Sequence, residues 1–111
     1  MVLQVSRGRE RQRPLADHGA EAAAGDRLDV ATEELGDVRQ VASDVGERTE
    51  PGVTTLELDR IADDYIRAKG GVPTSQGYRG YPRAICISVN EVVVHGIPDD
   101  RVVEDGDLVT I

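Results

Sequence analysis

The side chains in this sequence that are best suited to chemistry lie between residues 77 and 107. His95 follows a run of valines and precedes Gly96, and the only cysteine, Cys86, lies shortly before that run. An imidazole titrates near neutral pH and both donates and accepts hydrogen bonds, so His95 is a candidate for acid–base chemistry. A histidine at the end of an apolar run is more often structural, however, and the residues by themselves favour that role.

Two acidic clusters follow His95, but both lie beside turn residues. Asp99-Asp100 comes directly after a proline, and Asp105-Gly106 is a hairpin-turn signal. The other histidine, His18, lies far away in the N-terminal part of the chain. We therefore interpret both clusters as solvated turns, and the residues alone predict no metal site.

The residues around these side chains predict a β-hairpin. Apolar residues alternate with small or polar ones over residues 85–89, which is the period of a half-buried strand. Asn90-Glu91 interrupts the apolar pattern and fits a tight turn, and the β-branched run at residues 92–94 predicts the returning strand. His95 would then lie at the end of that strand. Residues 108–111 predict the start of a further buried strand.

An amphipathic helix is predicted upstream, over about residues 55–69. Its start is a capping box, in which the Thr54 hydroxyl accepts a hydrogen bond from the backbone N–H of Glu57. Apolar residues recur three and four positions apart on one face, charged residues occupy the other, and Gly70-Gly71 supplies the stop. The apolar stripe consists of Leu58, Ile61, Ala62, Tyr65 and Ile66, and the charged face of Asp59, Arg60, Asp63, Asp64 and Arg67.

Residues 1–50 carry weaker signals and form a separate leader in our interpretation. Apolar residues at helical spacing predict a helix over residues 27–45, although Gly36 interrupts the pattern. We predict disorder for roughly the first 25 residues, which are rich in Arg, Ala and Gly and lack aromatic side chains.

The composition limits the classes of function. The chain has 111 residues and a formal net charge of -8, which disfavours binding to nucleic-acid backbones. No apolar run approaches the roughly 20 residues that span a bilayer, so we expect no membrane partner. Cys86 is alone and forms no disulfide within the chain, which fits a reducing cytosol. We therefore expect a cytoplasmic protein of one domain at most.

Over about residues 51–111 the chain resembles type I methionine aminopeptidases. The resemblance implies an α+β pita-bread fold, of which this chain would hold an N-terminal part: the amphipathic helix, the hairpin and the start of a further antiparallel strand. The family's usual N-terminal pattern is not visible in residues 1–50, which leaves open a diverged leader or a misread frame. The segments that carry the resemblance are PGVTT (51–55), YRGYP (78–82), CISVNE (86–91), VHGIP (94–98) and GDLVTI (106–111).

The resemblance implies the function of the family, which is removal of the initiator methionine from nascent proteins by metal-activated water. The implied substrates are nascent chains and peptides that begin with methionine. The implied cofactors are two divalent metal ions (Co, Mn, Fe or Zn), held by two Asp, one His and two Glu. In the family all five ligands come after the strand that ends here at Ile111. We therefore expect this chain to bind no metal and to be inactive alone. The alternative is a non-catalytic interaction or binding module of the same fold.

The resemblance also implies the site residues. His95 matches a histidine that hydrogen-bonds the substrate at the scissile peptide, which makes it the candidate catalytic and substrate-binding residue. Tyr78, Tyr81 and Cys86 match residues that line or adjoin the pocket for the methionine side chain, where rings and a thiol supply soft apolar walls. Ser75 departs from the cysteine that is often found at its position in bacterial members.

Overall fold

The computed structural model describes residues 1–5 and 32–111, which form two helices and one small antiparallel sheet. Strand β3 is central and pairs with β1 on one side and β2 on the other, which confirms the predicted α+β class. Neither helix in this described part is long and apolar enough to cross a membrane. The element order is β1 (Val2–Gln4), α1 (Thr32–Arg48), α2 (Thr55–Ala68), a 3-10 turn (Tyr78–Gly80), β2 (Ser88–Val89) and β3 (Leu108–Thr110).

A row of apolar side chains crosses the sheet and forms the centre of the core. The register places Val109 of β3 opposite Leu3 on β1 and opposite Val89 on β2. All three are buried, and the core continues through Val45 of α1 and Leu58 of α2. Full burial of an aliphatic side chain of this size contributes roughly 1.5–3 kcal/mol. The two helices and the sheet are therefore held together mainly by this aliphatic layer.

Helix α1 confirms the helical pattern predicted over residues 27–45, with different bounds. It ends at Arg48, and the predicted segment 27–31 lies outside the described residues. After the last turn, the hydroxyl of Thr49 donates to the carbonyl oxygen of Val45 at 2.7 Å. Thr49 is buried, and this bond gives its hydroxyl a partner while it satisfies one of the carbonyl groups that a helix end leaves unpaired.

The first five residues are ordered, although the sequence predicts disorder for this stretch. Residues 2–4 form β1 because the side chains of Leu3 and Val5 are buried and because β3 offers its edge for main-chain pairing. The main chain of Met1 makes two hydrogen bonds to Ile111, at 2.7 and 2.8 Å. The remainder of the predicted disordered stretch lies outside the described residues.

Helix α2 confirms the amphipathic helix predicted from the sequence. The Thr54 hydroxyl accepts from the N–H of Glu57 at 3.1 Å, as the capping box requires. Gly70 follows the helix at φ +80°, the left-handed conformation that commonly ends a helix. From the predicted apolar stripe, Leu58 and Ala62 are fully buried.

Asp59 departs from the predicted solvated face of α2. The residue is only 6% exposed, and its Oδ1 accepts from the backbone N–H of Ala84 at 2.9 Å and of Ile85 at 3.0 Å. Hydrogen bonds to an ionised carboxylate are short and strong, and they offset the cost of removing the charge from water. The chain that leads into β2 is therefore anchored to α2 by one side chain.

The predicted hairpin differs from the structure in its returning strand. The turn at Asn90-Glu91 is present, and the N–H of Val92 donates to the carbonyl of Val89 at 3.1 Å. Residues 92–94, however, form no strand, and β2 pairs with β3 instead. The physical reason is that Asn90 turns the chain at φ +52° while its own N–H bonds to Leu108 at 2.8 Å, so the sheet hydrogen bonds go to β3.

Asn90 and Asp107 join the end of β2 to the start of β3. The Nδ2 of Asn90 donates to Oδ1 of Asp107 at 2.8 Å, and the N–H of Leu108 donates to Oδ1 of Asn90 at 2.9 Å. The N–H of Glu104 donates to the second carboxylate oxygen of Asp107 at 2.9 Å. This backbone bond is the main reason why the pKa of Asp107 is lowered. Burial opposes the shift, whereas the hydrogen bond from Asn90 and the charge of Arg101 lower the pKa further.

Replacing Asp59 with Ala should lower the free energy of unfolding by about 2–4 kcal/mol, because the buried N–H of Ala84 and the half-buried N–H of Ile85 lose their acceptor. Asp63→Ala is the matched control on the same helix. Asp63 makes a solvent-exposed ion pair with Arg67 at 2.8 Å, and such pairs contribute under about 0.5 kcal/mol. Urea denaturation followed by circular dichroism measures both variants. Equal losses in the two variants would contradict the anchoring role of Asp59.

Asp107 should make the chain sensitive to acid. Its pKa is lower in the folded than in the unfolded chain, so its stabilisation is complete above the unfolded value of about 4 and is lost as the pH falls through the folded value. Asp107→Asn should therefore flatten the fall in Tm below about pH 4. Asp100→Asn removes an exposed carboxylate and controls for the change in net charge. An acid profile that is unchanged in Asp107→Asn would refute this role.

Candidate functional site

The segment that carries His95 is held against the start of β2 by its neighbour Gly96. The carbonyl of Gly96 accepts from the N–H of Ile87 at 2.9 Å, and the N–H of Gly96 donates to the Ser88 hydroxyl at 3.1 Å. The two backbones approach so closely that a Cβ on Gly96 would collide with the carbonyl oxygen of Ile87. Only glycine fits this position, and the pairing fixes where the backbone of His95 lies.

His95 combines an exposed side chain with an uncommon backbone conformation. Its φ is +55°, which few residues other than glycine adopt. Its Nδ1 lies 4.0 Å from the Sγ of Cys86, so the imidazole and the thiol are neighbours. Left-handed conformations of this kind cost on the order of 1–3 kcal/mol and concentrate at active sites and ligand clamps. The conformation therefore marks His95 as a candidate functional residue.

The hydroxyl of Tyr81 connects the chain before β2 with the chain after His95. Its single O–H proton is shared between the carbonyl oxygens of Ile85 and of Gly96, both at 3.0 Å. Burial, followed by the hydrogen bond and the charge interaction with Cys86, raises the pKa of Tyr81 above the usual range of a phenol. We call Tyr81, Cys86 and His95 the tyrosine–thiol–imidazole cluster.

Tyr78 is not joined to this cluster in the described part of the chain. It lies in the 3-10 turn with its side chain 65% exposed, and the guanidinium of Arg79 lies 5.4 Å from the centre of its ring. The structure therefore brings together three of the four side chains that the resemblance implies for the site. Tyr78 lies on a neighbouring exposed turn.

Ser88 is a residue of this site that sequence reasoning missed. It is 5% exposed, and its hydroxyl accepts a hydrogen bond from the N–H of Gly96. In the sequence it stands out only as a polar member of the alternating pattern. A serine inside an apolar strand could nevertheless have indicated this role. A buried hydroxyl needs a hydrogen-bond partner, so its presence predicts a nearby polar group.

The side chains of the cluster offer hydrogen bonding and apolar contact. Among residues 1–5 and 32–111, no group of three or more His, Cys, Asp or Glu side chains is placed to hold a metal ion. The cluster instead supplies one imidazole that donates or accepts, one thiol and one ring. These groups suit the recognition of a polar peptide group beside an apolar side chain.

An exposed apolar run lies next to the cluster. Val93 is 82% exposed and Val94 is 65% exposed, and Ile97 is exposed as well. Within the described residues, the backbone N–H groups of Val93 and Val94 have no main-chain partner. Contiguous exposed apolar surface of this kind often marks a place where another molecule or segment packs.

Comparison with known proteins identifies the family. The sequence model that describes metallopeptidase family M24 matches residues 30–111 of this chain. The chain belongs to metallopeptidase family M24. The match starts before Pro51, so it also includes helix α1, where no family pattern was visible in the sequence.

The most similar relatives include methionine aminopeptidases from several bacteria. The chain is 51% identical over 69 residues to methionine aminopeptidase 2 of Mycobacterium tuberculosis, a match that covers 62% of this chain and 24% of that protein. It is 57% identical over 63 residues to the methionine aminopeptidase of Escherichia coli, covering 55% of this chain and 24% of that protein. The chain thus spans about a quarter of the length of these relatives.

Solved structures show the same relationship. The methionine aminopeptidase of Thermotoga maritima matches with a TM-score of 0.64 and 34% identity, over 66% of this chain and 30% of that one. The enzyme of Rickettsia prowazekii matches with a TM-score of 0.62 and 34% identity, over 63% of this chain and 28% of that one. The resemblance to type I methionine aminopeptidases is confirmed, and the elements within the matched residues, which are α1, α2, β2 and β3, are part of the pita-bread fold.

Tyr81 should resist ionisation while the chain is folded. Its folded pKa lies above the unfolded value, so its protonated hydroxyl contributes fully to stability below about pH 10, and that contribution is lost as the pH rises through the folded value. The difference in phenolate absorbance between the wild type and Tyr81→Phe isolates this hydroxyl. We expect it to ionise only together with unfolding seen by circular dichroism.

Tyr78→Phe, which removes an exposed phenol, is the control for the loss of one tyrosine hydroxyl in this titration. The prediction fails if the phenol that is missing in Tyr81→Phe ionises near pH 10 while the circular dichroism spectrum is unchanged.

Proposed function

We propose that this chain contributes the substrate-contacting part of a methionine aminopeptidase that acts on nascent chains in the cytoplasm. His95 contacts the scissile peptide, and Cys86, Tyr81 and Tyr78 contribute to the pocket for the methionine side chain. The observation that carries the proposal is the 4.0 Å contact between Nδ1 of His95 and Sγ of Cys86. It brings an imidazole and a soft apolar group together in a chain that is similar to methionine aminopeptidases.

The position of His95 suits contact with a peptide group. Its side chain is exposed, while the docking of Gly96 on Ile87 fixes the backbone beside it. Because Nδ1 faces Cys86, Nε2 remains for the substrate, where it donates to a carbonyl oxygen or accepts from an amide N–H. A group that is held in place before the substrate arrives loses little entropy on binding, which favours stabilisation of the transition state.

The thiol of Cys86 supplies a polarisable surface for a thioether. Cysteine behaves as a small apolar residue, and sulfur and aromatic groups make favourable contacts with one another. The hydroxyl of Tyr81 bonds to the carbonyl of Ile85, just before Cys86, and to that of Gly96, just after His95, so this tyrosine holds the two chain segments at a set separation. Tyr78 lies on the exposed turn directly before Tyr81, and in this proposal it comes to the methionine side chain from there.

The described residues do not supply the metal chemistry of the family. A divalent ion in a metallopeptidase activates the attacking water and polarises the carbonyl. The described residues contain no set of three suitable donors, so they do not fit the metal centre, and we assign them the binding and orientation of the substrate only.

A second candidate function is a non-catalytic interaction module of the same fold. The exposed run at residues 92–94 favours it, because apolar side chains that face solvent often mark interaction surfaces. The two functions differ in the consequence of changing His95. In an interaction module His95 has only a structural role.

A chimera distinguishes these functions. The 63 matched residues of the Escherichia coli enzyme would be replaced by the corresponding segment of this chain, to which they are 57% identical. In an active chimera, His95→Ala should lower kcat by roughly 10²–10⁴-fold, because it removes a hydrogen bond or a proton-transfer group of the transition state. The Tm and the metal affinity should change little.

Val94→Ala is the matched control for this experiment, because it shortens the exposed neighbour of His95 and should leave kcat nearly unchanged. Retention of most of kcat in His95→Ala would overturn the catalytic assignment. A chimera that folds and binds metal but is inactive with His95 intact would favour the interaction module.

A further inference from the structure

The hydroxyl of Ser88 bonds to the peptide group that links His95 to Gly96. Its oxygen accepts from the N–H of Gly96 at 3.1 Å, and this N–H lies in the same peptide plane as the carbonyl of His95. Two other groups, the N–H of Ile87 and the hydroxyl of Tyr81, donate to the carbonyl of Gly96 and therefore hold the next peptide group. Of these three contacts, only the one from Ser88 acts on the backbone rotation of His95 itself.

The segment that leads to His95 makes few main-chain hydrogen bonds in the described part of the chain. After the turn, the N–H of Val92 donates to the carbonyl of Val89 at 3.1 Å. Within residues 1–5 and 32–111, the N–H groups of residues 93–95 donate to no main-chain acceptor. The backbone conformation of His95 therefore depends on the bond that follows it.

His95 needs such a constraint because its backbone is left-handed. Its φ of +55° is uncommon for residues other than glycine, and a strained conformation persists only where its surroundings determine it. Without the bond to Ser88, the peptide after His95 can rotate, and the residue relaxes to a more favourable conformation. The direction of its Cα–Cβ bond then changes, and the imidazole moves away from the Sγ of Cys86, which lies 4.0 Å from Nδ1.

The burial of Ser88 strengthens this bond. The residue is 5% exposed, and its neighbour on β2, Val89, is buried as well. A hydroxyl without a partner in such surroundings is costly, whereas alanine would occupy the position without that cost. The hydrogen bond from Gly96 offsets the cost, so the serine hydroxyl and the peptide group of His95 depend on each other.

We propose that Ser88 is a positioning residue, which holds His95 in its left-handed conformation and so directs the imidazole toward the substrate. Its effect on catalysis rests on the proposed function, whereas its effect on the conformation of His95 is independent of that function. Ser88 acts through the backbone of His95 and does not touch the substrate. The imidazole is thereby oriented before the substrate binds, which lowers the entropic cost of reaching the transition state.

The first experiment measures the conformation of His95 in the full chain by nuclear magnetic resonance. In the wild type we expect a nuclear Overhauser effect between the imidazole proton Hε1 of His95 and the β-protons of Cys86, because Nδ1 lies 4.0 Å from Sγ. Ser88→Ala should lose this effect. Thr49→Val is the matched control, since it removes another buried hydroxyl, at the end of α1, and it should keep the effect.

The second experiment measures catalysis in the chimera described above. Ser88→Ala should lower kcat by roughly 10–100-fold and change KM little, because displacement of a catalytic group by about 1 Å has a cost of this size. In a chimera that already carries His95→Ala, the same change should alter kcat less than about twofold, because Ser88 acts through a side chain that is no longer present. A merely structural Ser88 would lower kcat by the same factor in both backgrounds.

Two results overturn the proposal. One is the same Overhauser effect between His95 and Cys86 in the wild type and in a folded Ser88→Ala chain. The other is an equal change of kcat on Ser88→Ala with and without the imidazole. If kcat does not depend on His95 at all, the proposed function fails, and the resonance experiment still decides the conformational role of Ser88.

Should Ser88→Ala fail to fold, amide hydrogen exchange of the wild type decides. The N–H of Gly96 should exchange at least about tenfold more slowly than that of Val94, because only the first is bonded to a buried hydroxyl. Equal exchange rates of the two N–H groups would refute the positioning role of Ser88.

Discussion

The carboxylate of Asp59 is the contact on which the arrangement of the candidate site depends. It accepts from the backbone N–H of Ala84 at 2.9 Å and of Ile85 at 3.0 Å, and these residues lead directly into Cys86 and β2. Because Asp59 is buried, the two bonds form in a medium of low dielectric constant, where they are stronger and water does not replace them. One side chain of α2 thus sets the position of the chain that carries the thiol.

Backbone contacts transmit this constraint from β2 to the imidazole. Gly96 is bonded to Ile87 and to the Ser88 hydroxyl, and its carbonyl also accepts from the Tyr81 hydroxyl. His95 lies directly before this fixed glycine, and its left-handed backbone persists because the surrounding contacts determine it. A side chain that is open to solvent on a backbone that is held in place is a suitable arrangement for binding and orienting a substrate.

The sheet joins the family-matched part of the chain to residues that the family model does not match. Val109 of β3 packs between Val89 on the matched side and Leu3 on the N-terminal side, so the same buried row stabilises both. The valines of residues 92–94, by contrast, remain exposed beside the cluster. The small sheet is therefore covered on the edge that β1 occupies, while apolar surface remains open to solvent next to the candidate site.

The sequence by itself determined the features that depend on neighbouring residues: helix α2 from its cap at Thr54 to Gly70, the turns at residues 90–91 and 105–106, and, through the order of its motifs, the resemblance to methionine aminopeptidases. Only the tertiary structure decided that residues 92–94 form no strand, that β1 joins the sheet and that Asp59 is buried. The physical reason is that apolar periodicity reports which face of a segment is buried, but not which edge it pairs with. Strand pairing and the burial of a carboxylate are decided by partners that are far apart along the chain.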